Sequence, residues 1–295
     1  MPARSIPPLL SLATAAALAL AGLPAIAQAR EPAAPGAAIV AATVTEADLA
    51  RLSEVLALPD LFAIVAREGL AYGNDLRESL FPDRAAASWD SRVAEIYDPA
   101  RMLALFLPEL AGALGKTPIA PILAYFGSDE GRQILALELA ARAAIIDPAV
   151  EQAARDRWQA IADAGGPFAE RLRAFVHAND LIEANVAGTL NSNLAFYSGL
   201  ADGGGAEAPA EDILASVLAQ EAEVRAETEA WVYGYLALAY EPLPVGALDR
   251  YIAFSLTPEG QALNTALFAA FDTLFVDISR QLGRAAAVRM ASEEL

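Results

Sequence analysis

Asp98-Pro99, Thr117-Pro118, Asp147-Pro148 and Thr257-Pro258 each set a short capping side chain directly before a proline. The side-chain oxygen accepts a bond from an orphan backbone N–H at a helix start, and proline fits the first helical turn without losing a useful donor. A chain punctuated in this way reads as separate helices joined by short turns. Thr45-x-x-Asp48 adds a capping pattern just before a periodic apolar stretch, and Gly165-Gly166-Pro167 and Gly203-Gly204-Gly205 add further boundaries.

The spacing of apolar residues agrees with that reading. Leu263, Leu267, Phe271, Leu274, Ile278 and Leu282 are spaced by 4, 4, 3, 4 and 4, which predicts one long C-terminal helix. Leu58, Leu61, Phe62, Val65, Tyr72, Leu76 and Leu80 share a second helical face, with Pro59 marking a new start. Ile213, Val217, Val224 and Trp231 are read as a third. No stretch sustains two-residue alternation, so the expected fold is all-α, a multi-helix bundle without β-sheet.

The N-terminus has the three parts of an export signal. Arg4 supplies positive charge, Leu9 to Leu23 form an apolar run, and Ala27-Gln28-Ala29 offers small residues for cleavage before Arg30. The expectation is a signal peptide over 1–29, a flexible lead-in over 30–44 and a single helical domain over 45–295, located in the periplasm or outside the cell. No later stretch reads as a membrane span; the apolar run from Ile134 to Ile146 carries Glu138 and Arg142.

Composition removes several functions. The chain has no cysteine, which excludes disulfides, thiolate nucleophiles and zinc–thiolate sites. Its formal net charge of −18 argues against nucleic acid as a partner and against anionic lipid. The single histidine, His177, and the single lysine, Lys116, have no motif around them and read as helix-end residues. No catalytic residue, metal site or cofactor is expected.

Met102 to Ala144 aligns without gaps on Trp231 to Thr273 as a weak internal repeat of helix, turn and helix. Within it, Tyr125, Ser128, Gly131 and Arg132 correspond to Phe254, Thr257, Gly260 and Gln261. Each glycine is expected in the first turn of the following helix, where a small residue lets the preceding helix pack close. The second set, followed by Leu267-Phe268 and Phe271-Asp272, resembles domain-of-unknown-function family 2059, whose members carry an aromatic-rich helix, then F-x-x-[ST]-x-x-G-[QR], then a long amphipathic helix. That resemblance implies an all-α fold and an envelope location, and brings no catalytic residues.

The segment from Asp180 to Leu200 is the most unusual helix. Ile182, Val186, Leu190, Leu194 and Tyr197 form an apolar stripe, and Asn185, Thr189 and Asn193 fall on or beside it. Buried amides and hydroxyls need partners, so these three either form an internal network or line a ligand cavity. With Trp231 of the next helix, Asn185, Thr189 and Asn193 are the candidate ligand-binding residues. The expected function is a non-enzymatic envelope scaffold working through a protein partner. The alternative is a helical carrier or sensor of an apolar or amphipathic small molecule.

Overall fold

At the start of the first helix, the Thr45 hydroxyl accepts from the Asp48 N–H at 3.2 Å, and the Asp48 carboxylate accepts from the Thr45 N–H at 3.1 Å. The capping box read from the sequence is therefore formed. The computed structural model describes residues 44–82, 87–205 and 209–291, so the leader expected over 1–29 lies outside the described residues. Within them the chain is an all-α multi-helix bundle of thirteen helices, with no strand. They are α1 (Glu46–Val55), α2 (Leu58–Leu80), α3 (Ala87–Ile96), α4 (Pro99–Leu114), α5 (Ala120–Phe126), α6 (Asp129–Ala144) and α7 (Pro148–Ala164). Then follow α8 (Pro167–Ala178), α9 (Leu181–Asp202), α10 (Ala210–Leu218), α11 (Glu221–Tyr240), α12 (Ala247–Ser255) and α13 (Pro258–Ala291).

Three of the four proline-marked starts cap as expected. Asp98 accepts from Arg101 N, Asp147 from Ala149 N and Thr257 from Gly260 N. Thr117-Pro118 does not, and α5 begins three residues later with Ile119 as its uncapped N-terminal flank. A helix started at Pro118 would carry Pro121 one turn in, where its ring strikes a carbonyl and a bond is lost. Starting at Ala120 leaves Pro121 in the first turn, where it is tolerated.

The stripe expected to run from Ile213 to Trp231 is also split. Val217 closes α10 and Val224 opens the next helix, α11, with Gln220 at the break. The Gln220 side chain donates back to Ser216 O and accepts from α9, so the break is where these helices are tied.

The core forms around α13, which packs against α9 along much of its length and also meets α3, α4, α5 and α12. Phe271 lies 4.6 Å from Phe106 of α4, and Phe106 lies 5.2 Å from Phe62 of α2, all three fully buried. Such rings carry much of the burial energy of a core, at about 1.5–3 kcal/mol each. By length and composition α13 is also apolar enough to cross a membrane, but 56% of the window that qualifies is buried inside the fold.

The two turns that matched in sequence have the same bonds. Ser128 Oγ donates to Tyr125 O at 2.6 Å and accepts from Gly131 N at 3.0 Å. Thr257 Oγ1 donates to Phe254 O at 2.7 Å and accepts from Gly260 N at 3.0 Å. A Cβ on Gly131 would lie 2.2 Å from Tyr125 O, and one on Gly260 would lie 2.2 Å from Phe254 O. Both glycines therefore let the preceding helix end press against the next helix start. Tyr125 and Phe254 stack face to face at 4.1 Å, so the two turns meet.

Candidate functional site

Helix α9 enters from a strained start. Asp180 holds a left-handed conformation at φ 47° and makes no side-chain cap. The buried Asn179 beside it donates back to Phe175 O at 2.7 Å. From there α9 runs against α13 at a separation set by small residues. A Cβ on Gly199 would lie 2.2 Å from Arg280 O, and one on Gly283 would lie 2.1 Å from Phe196 O.

That close approach decides which face of α9 is deepest. The apolar stripe residues Ile182, Leu190, Leu194 and Tyr197 are only partly buried. Asn185, Thr189, Ser192, Asn193 and Phe196 are buried almost completely. The polar row thus lies inside the helix packing, with part of the apolar stripe at its flank.

Its hydrogen bonds are incomplete. Asn185 Nδ2 donates to Leu181 O at 2.6 Å, one turn back on its own helix. Asn193 Nδ2 donates to Gln220 Oε1 at 3.2 Å. Asn185 Oδ1, Thr189 Oγ1 and Ser192 Oγ are buried and have no hydrogen-bond partner.

Of the four residues singled out in the sequence, Asn185 reaches an opening. It lines a groove of about 230 Å³ between α9 and α13, with Gly188 and Asn191 on one side and Phe268, Asp272 and Phe275 on the other. Asn191 Nδ2 donates to Asp272 Oδ1 at 2.9 Å across it. The groove floor is open at Gly188, where an added Cβ would meet only Asp272 Oδ1 at 3.9 Å. Thr189, Asn193 and Trp231 do not line this groove.

Trp231 is partly buried on α11 and stacks on Tyr235 with ring centroids 5.2 Å apart. The bond from Asn193 to Gln220 and the ion pair of Glu183 with Arg225 set α9 and α11 antiparallel. At about 1.5 Å of rise per residue, Trp231 lies roughly 16 Å along α11 from Gln220. The tryptophan therefore lies apart from Asn193.

The second place where polar groups converge was not singled out as a site from the sequence. Glu138 and Arg142 of α6 are buried, at 4% and 3% exposure, in the middle of the core. Arg142 donates to Glu68 of α2 through Nε at 2.9 Å and Nη2 at 2.8 Å, a two-pronged pair. Among the described residues no cation pairs with Glu138 in this way. Tyr240 donates to its Oε1 at 2.5 Å, and Tyr235 donates to its backbone carbonyl at 3.1 Å. Burial pushes the Glu138 carboxyl up to about 7, against the smaller stabilisation of the anion by the hydroxyls of Tyr240 and Tyr251. The visible signal was the pair of charges four apart inside an otherwise apolar run.

Among the described residues, no group of three or more His, Asp or Glu side chains is placed to hold a metal. His177 is exposed in the last turn of α8, and Lys116 follows the end of α4. Comparison with family models, curated proteins and solved structures finds no match to this chain.

Proposed function

We propose that the chain is a non-enzymatic, exported envelope protein that acts as a scaffold through a protein partner. The observation that carries this reading is the α9–α13 groove. It is open to solvent, measures about 230 Å³ and has aromatic walls with a small-residue floor. This groove is below the roughly 300–1,000 Å³ common for small-molecule pockets and has room for one inserted side chain of a partner; open clefts of about 550 Å³ beside Ala149, Arg157 and Leu238 and of about 700 Å³ beside Trp89, Asp277 and Gln281 lie elsewhere on the fold. The hydroxyls and amides that sequence reading offered as ligand contacts are sealed between helices, apart from the edge of Asn185. Neither Thr189 nor Ser192 touches a base that would activate its hydroxyl.

Export and kinship with family 2059 belong to the same proposal. They are supported by the three-part leader at 1–29 and by Phe254, Thr257, Gly260 and Gln261. A second reading, as a carrier of a small amphipathic molecule, is favoured by the unpartnered oxygens of Asn185, Thr189 and Ser192.

The test is site-specific photo-crosslinking in the native envelope. A photoreactive residue at the exposed Ala187, on the rim of the groove, is expected to give one discrete adduct. The same residue at exposed Gln159 on α7 is expected to give none. Equal labelling from both positions would count against the groove as a docking site.

A further inference from the structure

Glu138 holds a position for which the matching turn-and-helix uses an apolar residue. In the alignment of 102–144 on 231–273 its counterpart is Leu267, which is buried at 1% exposure. A carboxyl in such a place is costly when ionised and needs hydrogen bonds in either state. Its Oε1 is served by Tyr240, while its Oε2 has only the nearby Tyr251 hydroxyl, which favours the anion without closing a well-formed hydrogen bond. Beside Glu138 is a void of about 10 Å³ between Glu138, Arg142, Tyr235, leucines of α2 and α6, and Leu56 just past the end of α1. The void is lined mainly by leucines, with Glu138, Arg142 and Tyr235 at its polar edge.

We propose that this junction binds one proton, and that exchange of that proton at Glu138 switches how tightly α11 and α12 pack on α6. Protonated, the carboxyl is a neutral hydrogen-bonding group joining the three helices. Ionised, it is a buried charge without a cation of its own, and it draws water in at the expense of packing. This inference is independent of the α9–α13 groove.

The surroundings support a transition at Glu138 rather than at a neighbour. Facing it are Arg142 on its own helix, Glu68 of α2, Tyr125 of α5, Tyr235 and Tyr240 of α11, and Tyr251 of α12. Burial raises all four tyrosines, so each keeps its proton at neutral pH. Arg142 is engaged by Glu68. The carboxyl rises from an ordinary 4.5 to about 7. Between those values the folded state holds a proton that the unfolded state has released, so stability falls as pH rises and the loss is complete above the folded value.

The experiment is urea unfolding of the full chain from pH 5 to 8.5, with Glu138→Gln and Tyr240→Phe alongside. The wild type is expected to lose on the order of a hundredfold in its folding equilibrium constant across that window. Glu138→Gln is expected to lack that fall, and Tyr240→Phe to move it to higher pH because the anion loses a donor. Hydrogen exchange, corrected for its intrinsic pH dependence, is expected to quicken in α11 and α12 of the wild type at pH 8. If Glu138→Gln does not fold, Glu138→Leu copies the matching Leu267 and serves in its place. Parallel pH curves for wild type and the position-138 variant would overturn the proposal, as would a Tyr240→Phe curve that does not shift.

Discussion

Gly199 of α9 and Gly283 of α13 are reciprocal: the first lies against the Arg280 carbonyl, and the second against the Phe196 carbonyl one turn before Gly199. Each helix presents bare backbone to the other. The approach is braced at the end of α9 by Asp202, which accepts from Arg280 at 2.7 Å and Arg284 at 2.9 Å. These ion pairs are exposed and contribute little by themselves. The glycines are what permit the contact.

Substitution at those glycines is expected to be expensive, because the obstructing atom is backbone and cannot rotate away. Gly199→Ala and Gly283→Ala should each destabilise by about 1–3 kcal/mol or more in urea unfolding. Gly188→Ala on the same helix meets open space and should be neutral or stabilising by up to about 1 kcal/mol, the usual gain of alanine over glycine in a helix. A neutral Gly199→Ala would mean that α9 and α13 stand farther apart than described.

The buried pair of Arg142 and Glu68 predicts strong non-additivity. Removing one partner leaves an uncompensated charge in the core, so Arg142→Met or Glu68→Leu alone should cost about 3–5 kcal/mol. The double variant should recover most of that loss, because no charge is then stranded. A double-mutant cycle in urea checks this; simple addition of the two losses would contradict it.

The sealed polar row makes the opposite prediction. Thr189→Val keeps the shape and removes a buried hydroxyl that has no partner. Stability should stay level or rise by about 1 kcal/mol. Asn193→Ala, by contrast, breaks the tie to Gln220 and should destabilise by about 1 kcal/mol. A large loss in Thr189→Val, measured in the same unfolding assay, would show that its hydroxyl is engaged.

The acid side of the pH profile has a different cause from the neutral side. Hydrogen bonds from Arg225, Arg280 and Arg157 hold Glu183, Asp202 and Glu241 below their usual carboxylate values. Such groups stabilise the fold above those values and lose that contribution as pH falls through the folded ones. Glu138 acts in the reverse sense between 4.5 and about 7. Stability should therefore peak at about pH 5 in the wild type, and the plateau of Glu138→Gln should extend to neutrality. Thermal melts across pH 3–9 would check the position of the peak.

Much of this architecture was legible in the chain because local chemistry dictates it. Asp98, Asp147 and Thr257 cap where their prolines said they would, and the spacing from Leu263 to Leu282 forms one helix. Thr117 misled because a helix started at Pro118 would lose a bond at Pro121, whereas a start at Ala120 loses none. The burial of Asn185 and Thr189 was legible, but that they lie deeper than Leu190 and Leu194 was not. It depends on Gly199 and Gly283 meeting across 84 residues of sequence. Glu138 was visible as a charge in an apolar run, but its meaning depends on Tyr240 and Tyr251 arriving from α11 and α12.

The most direct test of the docking account is the native mass of the protein in gently solubilised envelope, compared between wild type and Gly188→Trp. The tryptophan grows into open space in the groove and should fill it without disturbing the core. The account predicts that the wild type migrates with one additional, stoichiometric protein and that Gly188→Trp migrates alone while melting at the wild-type temperature. The same mass for both proteins, whether alone or in complex, would contradict it.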